Sequence, residues 1–390
     1  MVVMVEVRDG DLNSIGPLTW TKVDLTARYN AVGAWSITVP ATDKNIELTN
    51  IPSLGVVVDW NGVYRFTGPM ETWAPSKSLD DAGQVTDTIT LSGADDLALI
   101  ANRTAYPDPA SSWASQTVSG EDAQTSVPCE TAIKHYVNVN AGPGALAARR
   151  APHLTVASSL GMGGTVSYSA RFADGVDLEL MDIIRLLIAS GGPLGVTVTQ
   201  QGGSLVFDAY EPRDLSETAW FSFALGNLRG VDLSDAAPTI TNALVRGSTT
   251  FVEVVGAGAS DPWRRIETIV DQSSSTDSTE MTQAGRDALS QGAGAAQMSI
   301  STVDLPLLSF GTDYGLGDTV TVEVRDGVTY QDIVSAVQLT ADDSGQNYVE
   351  TATPTVGASE SDIGDDQTAS AQLAARVRAL EKQIRRLQAG

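Results

Sequence analysis

The chain has 390 residues and a formal net charge of −24 at pH 7, and 42% of its residues are hydrophobic. This length and apolar content predict a globular protein of two or three domains. The acidic excess excludes binding of nucleic acid through a basic surface, because such binding depends on neutralising phosphates.

Cellular context follows from what the sequence lacks. Cys129 is the single cysteine, which excludes an intrachain disulfide and favours folding in a reducing cytoplasm. The N-terminal residues MVVMVEVRDG lack the basic start and the long apolar run of a secretory signal. The longest apolar run, Ile183 to Ala189, is interrupted by Arg185 and is far shorter than the roughly 18 residues of a membrane helix. We therefore expect no membrane segment.

Residues 1–105 are predicted to form a first β region. Polar and apolar residues alternate with period two, as in strands that bury one face. Asn61-Gly62 is the strongest short hairpin signal in this region. The predicted elements are strands at Val23–Tyr29, Trp35–Val39 and Thr86–Ser92, a strand–turn–strand unit from Ser53 to Trp73, and a short helix at Asp95–Asn102.

Residues 106–230 are predicted to form an inserted α+β domain. One helix is expected at Glu130–Asn140 and a second at Leu178–Ala189, where Gly191-Gly192-Pro193 ends it. A hairpin turned at Gly202-Gly203 follows. Five apolar residues share one face of the second helix: Leu180, Ile183, Ile184, Leu187 and Ile188.

Residues 231–356 are predicted to return to β structure. Strands are expected at Thr239–Arg246, Phe251–Val255 and Ile266–Val270, a helix at Thr279–Ser290, and a hairpin over 319–340 turned at Asp326-Gly327. The sequence VEVRDG occurs at residues 5–10 and again at 322–327. The repeat is either a chance recurrence of a favourable hairpin sequence or a sign that the first and third regions are related β-barrels.

Residues 357–369 form an acidic linker, and residues 370–390 are predicted to form a coiled coil. Apolar residues follow a heptad pattern with β-branched residues at a and Leu at d. Arg376 and Glu381 complete a short motif of trimeric coiled coils, which favours three chains over two. A single helix packed on its own body is the alternative. The residues assigned to oligomerisation are Leu373, Arg376, Val377, Leu380, Glu381, Ile384 and Leu387.

The energetics of this coil indicate that it reinforces an oligomer, as a clasp, and does not by itself cause assembly. Five seam residues contribute roughly 7–15 kcal/mol per chain on burial. Ordering the segment costs roughly 27 kcal/mol at about 1.5 kcal/mol per residue. We therefore expect the body of the protein to form most of the oligomer contact.

No residue pattern indicates catalysis. His135 and His153 lie far apart in sequence, so zinc-ligand spacing is absent, and neither a phosphate-binding loop nor a Gly-x-Ser-x-Gly elbow occurs. Asp9, Asp11 and Asn13 mimic the start of an EF-hand loop, but its required later residues are missing. We assign no catalytic, cofactor-binding or metal-binding residues and expect no enzyme activity and no cofactor.

Long stretches of the chain resemble the tail hub, or minor tail, proteins of long-tailed phages (siphoviruses) of actinobacteria. Together they cover most of residues 5–340 in the expected order. They are VRDGDLNSIGPLTWTKVDLTARYNAVGAWSITVP at 7–40, LSGADDLALIANR at 91–103, YVNVNAGPGALAARRAPHLTVA at 136–157, VSYSARFADGVDLELMDIIRLLIASGG at 166–192 and VFDAYEPRDLSETAWFSFALGNLRGVDLSDAAPTITNALVRG at 206–247.

The resemblance implies a mainly β fold with an α+β insert and two related β-barrel domains of the phage tail-hub type. The barrels would be residues 1–105 and 231–356, which would give the VEVRDG repeat a reason. Such hubs are similar to the baseplate hubs of contractile phages, in which a trimer with two barrels per chain forms a pseudo-sixfold ring. The resemblance identifies no chemistry.

The expected function is a structural virion protein, the homotrimeric tail-tip (baseplate) hub, assembled in the host bacterial cytoplasm. It would join the sixfold tail tube and distal tail protein to threefold tip components and surround the DNA exit channel. The expected partners are the chain itself, the distal tail protein, the tape-measure protein and other tail-tip or receptor-binding proteins, with no sequence-specific nucleic acid. A receptor- or carbohydrate-binding tail protein is the alternative, and a peptidoglycan hydrolase is a third hypothesis. The acidic body predicts a channel partly lined by acid.

Overall fold

The computed structural model describes residues 3–79, 85–172, 178–235, 237–273, 276–292, 296–302, 308–325, 327–344 and 348–357. Contacts divide the chain into two compact units. Unit 1 contains Met1–Val231 and Ile300–Val356, whereas unit 2 is mainly Asp232–Ser299. The third predicted region, 231–356, is therefore shared between the units, and the other sequence-based domain limits stay predictions. Apart from Gly357, the linker at 357–369 and the coiled coil at 370–390 lie outside the described residues.

The first β region has the predicted strands and two short helices. The alternation of buried and half-exposed residues confirms the period-two pattern, and Asn61 and Gly62 both have positive φ, 56° and 74°. The elements are β1 (Met4–Arg8), β2 (Ser14–Pro17), β3 (Lys22–Arg28), β4 (Ala34–Pro40), α1 (Asp43–Thr49), β5 (Gly55–Trp60), β6 (Tyr64–Pro69), β7 (Thr72–Leu79), β8 (Val85–Ala94) and α2 (Ala98–Ala101).

Both helices differ from the sequence prediction. Helix α1 was not predicted, and its start is fixed by the side chain of Thr42, which accepts a hydrogen bond from the backbone N–H of Asn45. The helix predicted at Asp95–Asn102 is only four residues long. The carboxylate of Asp95 accepts hydrogen bonds from the backbone N–H groups of Gly33 and Leu97, so the chain there forms a turn.

The insert has both predicted helices and the predicted hairpin. Its elements are β9 (Glu121–Pro128), α3 (Cys129–Asn140), β10 (Leu154–Val156), β11 (Thr165–Arg171), α4 (Leu180–Gly191), β12 (Gly195–Gln201) and β13 (Ser204–Tyr210), with single 3-10 turns at Trp113–Ser115 and Ala147–Arg149. The predicted apolar face of α4 is buried, with Ile188 partly so, against α3 and the insert's two small sheets. Leu12, Leu97 and Ile100 join this core from outside the insert.

The remaining elements complete unit 1 and form unit 2. They are β14 (Trp220–Phe221), β15 (Leu228–Asp235), β16 (Asn242–Arg246), β17 (Phe251–Val255), β18 (Glu267–Asp271), α5 (Ser278–Gln291), β19 (Ala296–Thr302), β20 (Thr319–Arg325), β21 (Val328–Asp342) and β22 (Val349–Gly357). Strands β16 to β18 and helix α5 match the predictions and form unit 2. Its three-stranded sheet, in the order β17-β16-β18, carries α5 on one face.

One sheet of unit 1 joins the first and third predicted regions. The sheet has ten described strands, and six of them lie side by side and antiparallel in the order β22-β21-β3-β4-β8-β7. The join is between β3 and β21, where Leu25 lies opposite Leu339. The mainly β fold is confirmed. The expected barrels are not found as closed sheets among the described strands, because β7 pairs only with β8.

A second sheet of unit 1, in the order β2-β1-β5-β6, packs near β8. The two backbones approach so closely that a Cβ on Gly68 would lie 2.0 Å from the carbonyl oxygen of Ala94, and one on Gly93 would lie 2.1 Å from that of Pro69. Glycine is required at both positions. In the described part of the chain, no helix combines the length and the apolar character needed to cross a membrane.

Candidate functional site

The seven residues assigned to oligomerisation lie outside the described residues, so their role stays a prediction. They are Leu373, Arg376, Val377, Leu380, Glu381, Ile384 and Leu387. The candidate sites in the described residues are an exposed sheet edge, the outer face of the same sheet, a buried ion-pair network and a cavity.

The sheet edge is the β7–β8 hairpin. All eight residues of β7 are exposed, and so is the beginning of β8. Large apolar side chains are among them: Trp73 is 45% exposed, Leu79 68% and Val85 55%. Lys77 and Asp87 form a solvent-exposed ion pair across the hairpin. An exposed edge strand can pair with another chain, so this hairpin is a candidate assembly surface.

Hydroxyl side chains dominate the outer face of six strands of the large sheet, β22, β21, β3, β4, β8 and β7. Alternate residues of β3, β4 and β8 are buried, and the residues between them point outward. We call this surface the hydroxyl face. Its Ser, Thr and Gln residues are Thr351, Thr353 and Thr355 on β22, Gln338 and Thr340 on β21, Thr26 on β3, Ser36 and Thr38 on β4, Thr86, Thr88, Thr90 and Ser92 on β8, and Thr72, Ser76 and Ser78 on β7.

Charges on the hydroxyl face are confined to β3 and the end of β21. Lys22 contacts Asp24 at 2.8 Å, and this partner raises the pKa of the lysine. Asp342 lies opposite Lys22, and hydrogen bonds from Ser344 lower the pKa of its carboxyl group. The outward positions of β4, β8 and β7 carry no charge.

The ion-pair network links four segments of unit 1: β1, β6, the turn at Asp96 and β12. Arg8 on β1 donates through Nη1 and Nη2 to the two carboxylate oxygens of Asp96, which also accepts from the hydroxyl of Thr67 on β6. Arg8 Nη1 also donates to Oε1 of Gln200 on β12, 2.8 Å away. Gln200 in turn donates to the carbonyl oxygen of Leu12. The network fixes the insert hairpin against the first β region, which is a structural role.

The cavity has a volume of about 450 Å³ and lies beside β6, β12 and the segment that precedes β20. Tyr64 packs against Phe310 at its wall, with ring centroids 4.9 Å apart. The hydroxyl of Tyr210 donates to the carbonyl oxygen of Leu316. Asp95 also lines the cavity, and burial raises its pKa to about 6 although two backbone N–H groups favour its ionised form.

His135, Asp9 and Cys129, which the sequence singles out, have structural surroundings rather than a site of their own. His135 Nε2 lies 2.9 and 3.0 Å from the carboxylate oxygens of Asp122. The carboxylate of Asp9 accepts hydrogen bonds from the backbone N–H groups of Asp11 and Asn13, which explains the EF-hand-like spacing as a turn. The Cys129 thiol is buried, and desolvation raises its pKa to about 11. Within the described residues, no group of three or more His, Cys, Asp or Glu could hold a metal ion.

Sequence reasoning missed two of these sites. No local signal links Arg8 to Asp96 and Gln200, because the contacts join residues up to 192 positions apart. The hydroxyl face had a partial signal, since TDTITLS at 86–92 and ETATPTV at 350–356 both place threonine at alternate positions. Only the alignment of the strands shows that these positions share one surface.

Comparison with protein families gives one assignment. A family profile, described as Siphovirus ReqiPepy6 Gp37-like protein, matches residues 4–358. The chain belongs to this family. The resemblance to siphovirus tail proteins is thereby confirmed at the level of the family. A comparison with curated proteins gives no match.

Solved structures show that this chain shares its fold with tail proteins, two of which are described as prophage proteins. The 43 kDa tail protein of prophage MuSo2 from Shewanella oneidensis has a TM-score of 0.55 at 14% identity, covering 90% of this chain and 97% of that one. A tail protein from Neisseria meningitidis has a TM-score of 0.53 at 12% identity, and the match covers 92% of this chain and 96% of that one. Prophage tail protein gp18 from Listeria monocytogenes has a TM-score of 0.50 at 12% identity, and the match covers 96% of this chain and 99% of that one. At these identities the likeness extends to the fold alone.

Proposed function

We propose that the chain is a structural virion protein that forms the homotrimeric tail-tip hub and surrounds the DNA exit channel. The family assignment and the fold shared with three tail proteins support a place in the tail. The observation that carries the hub proposal is the open ten-stranded sheet, which ends at β7 in a strand exposed along its whole length.

The exposed edge of β7 is expected to be covered by another chain. A two-stranded ribbon is marginally stable alone, and native proteins normally cover long, exposed edges. Here β7 exposes Trp73 and Leu79 together with a strand edge that has no described neighbour. A head-to-tail contact between identical chains makes a closed ring when its rotation closes. Three copies would cover three such edges, and the sheets would then line a common channel.

The predicted coiled coil fits this arrangement as a threefold clasp. Leu373 to Leu387 would lie on the axis after the body has assembled, consistent with its small energetic contribution. The two β-rich regions of each chain, repeated three times, would present six related surfaces to the tail tube and distal tail protein. The threefold end would receive the tape-measure protein and the tip or receptor-binding proteins.

Solution mass tests the assembly. The full chain should be a trimer, and a chain ending at Gly364 should form the same trimer at higher protein concentration. The full-length variant Leu380→Asp should match the truncated chain, because a charge in the seam removes the clasp without shortening the protein. A monomer in all three, at every concentration reached, would contradict assembly by the isolated protein.

The cavity supports a second candidate, a carbohydrate-binding tail protein. Aromatic rings beside acidic and basic side chains are suited to a sugar. Tyr64, Tyr210 and Phe310 line this cavity together with Asp95 and with Arg213, which pairs with Asp318. A glycan array separates the candidates. Binding by the native chain that is lost in Tyr64→Ala and kept in Trp263→Ala would favour this function, whereas a hub should bind no sugar.

A further inference from the structure

We infer that the hydroxyl face is the surface past which duplex DNA moves, and that it works by offering the phosphates nothing to bind. The inference rests on the proposed function, since it takes the sheets of three copies to line the channel. It goes beyond that function by assigning the channel surface to particular residues and by replacing the expected acidic lining with a nearly uncharged one.

The composition of the face argues against a protein contact. Interface cores are rich in aromatic residues, Met and Arg and poor in Ser. The positions of β4, β8 and β7 on this face carry Ser or Thr except at Ala34, Pro40, Ala74 and Ala94. By contrast, the outer face of the unit 2 sheet exposes Phe251 and Ile269, 78% and 75% exposed. The hydroxyl face is thus suited to water and not to a packed partner.

Some of the hydroxyl groups form hydrogen bonds with one another. The side chains of Thr38 and Thr90 pair across β4 and β8, and those of Thr340 and Thr351 pair across β21 and β22. Such cross-strand pairs hold short side chains against the sheet. The face therefore has few flexible groups that could reach out to a ligand.

The charge of the face is suited to a moving polyanion. Duplex DNA carries one charge per about 1.7 Å of its axis, and proteins bind it by releasing counterions with Lys and Arg. The face carries two basic side chains: Lys22 is held by Asp24, and Arg28, at the end of β3, donates a hydrogen bond to the carbonyl oxygen of Val32. Six strands spaced about 4.8 Å apart give a surface roughly 24 Å wide. Over this width the phosphates meet neither a cluster of positive charge nor a dense negative field.

Lysine substitutions in assembled phage test the inference. The pair Thr90→Lys and Thr351→Lys places new charges on two separate strands of the face. The matched control, Thr125→Lys with Thr165→Lys, adds the same charge at exposed positions of the β9–β11 ribbon in the insert. The pair Thr90→Gln and Thr351→Gln controls for side-chain size. Genome release is followed with a DNA-binding dye after adsorption.

We expect the Thr90→Lys, Thr351→Lys phage to assemble and to adsorb normally, but to release its DNA at least about tenfold more slowly than native phage. The rate of release should recover at high salt, because salt screens the contacts between lysine and phosphate. A tenfold slowing corresponds to about 1.4 kcal/mol of DNA binding. The six lysines that a trimer gains, two in each chain, should supply this small free energy easily. The two control pairs should release at the native rate. An acid-lined channel predicts the opposite, because added lysines would then reduce repulsion without slowing release.

Two results would overturn the inference. Unchanged release in the lysine pair would mean that DNA does not pass this face. Loss of assembled tails with both the lysine and the glutamine pairs, but not the control, would show that the face packs against protein. If the first lysine pair is insoluble, Ser36→Lys with Gln338→Lys gives the same comparison. The solution mass of each variant separates the two proposals, because a trimer with unchanged release refutes this inference alone.

Discussion

Removal of the buried arginine should destabilise unit 1 far more than removal of an exposed lysine. Arg8 and Asp96 are 4% and 1% exposed, and Arg8→Ala leaves the Asp96 carboxylate with the Thr67 hydroxyl as its remaining side-chain donor. Gln200 Oε1 also loses its donor. An uncompensated buried charge costs about 3–5 kcal/mol. We expect the free energy of unfolding to fall by that amount.

Lys77→Ala is the matched control. Lys77 pairs with an aspartate, Asp87, as Arg8 does with Asp96, but the side chains of Lys77 and Asp87 are 69% and 38% exposed. Solvent weakens such pairs, so the expected loss is about 0–1 kcal/mol. Urea unfolding followed by tryptophan fluorescence measures both variants, because Trp35 and Trp60 are buried in unit 1.

A double-mutant cycle isolates the pair itself. Arg8→Met combined with Asp96→Leu leaves no buried charge, so its cost should be smaller than the sum of the single changes by about 1–3 kcal/mol. The reasoning is refuted if Arg8→Ala costs no more than Lys77→Ala. It is also refuted if the two single effects simply add, since the charges would then not depend on each other.

Three further predictions concern single residues. Burial raises the pKa of Asp95 from 3.8 to about 6 in the folded protein, so the folded state binds more protons than the unfolded state between these pH values. The free energy of unfolding should therefore fall by about 2 kcal/mol as pH rises from 4 to 6, and Asp95→Asn should flatten this slope in urea titrations at each pH. Gly202→Ala should lower the free energy of unfolding by about 1 kcal/mol, because Gly202 has a φ of 59° in the β12–β13 turn. Gly203→Ala, equally open to solvent but without positive φ, should change it little in the same urea titration. The Cys129 thiol should not react with a disulfide reagent at pH 8 until urea unfolds the protein, because the thiol is buried and desolvation raises its pKa to about 11. Reaction of the native protein at the rate of a free thiol would contradict the packing of α3 on α4.

Local structure was predictable wherever one face of an element is buried. The helices α3, α4 and α5 and the hairpins at Asn61-Gly62 and Gly202-Gly203 follow from periodicity and turn residues, which act within a few positions of the chain. The ribbon of β9 and β11 was missed. Its strands alternate less clearly, and β9 is mostly half-exposed or exposed.

The sequence by itself determined the class of the protein: an acidic, mainly β chain with an α+β insert and long resemblances to siphovirus tail proteins. Only the tertiary structure decided which strands are neighbours. Residues 22–28 pair with 336–342, and Arg8 meets Gln200, because a period-two pattern specifies which face of a strand is buried but not its partner. For the same reason, net charge suggested an acidic channel, whereas the aligned strands gather hydroxyl groups on one face.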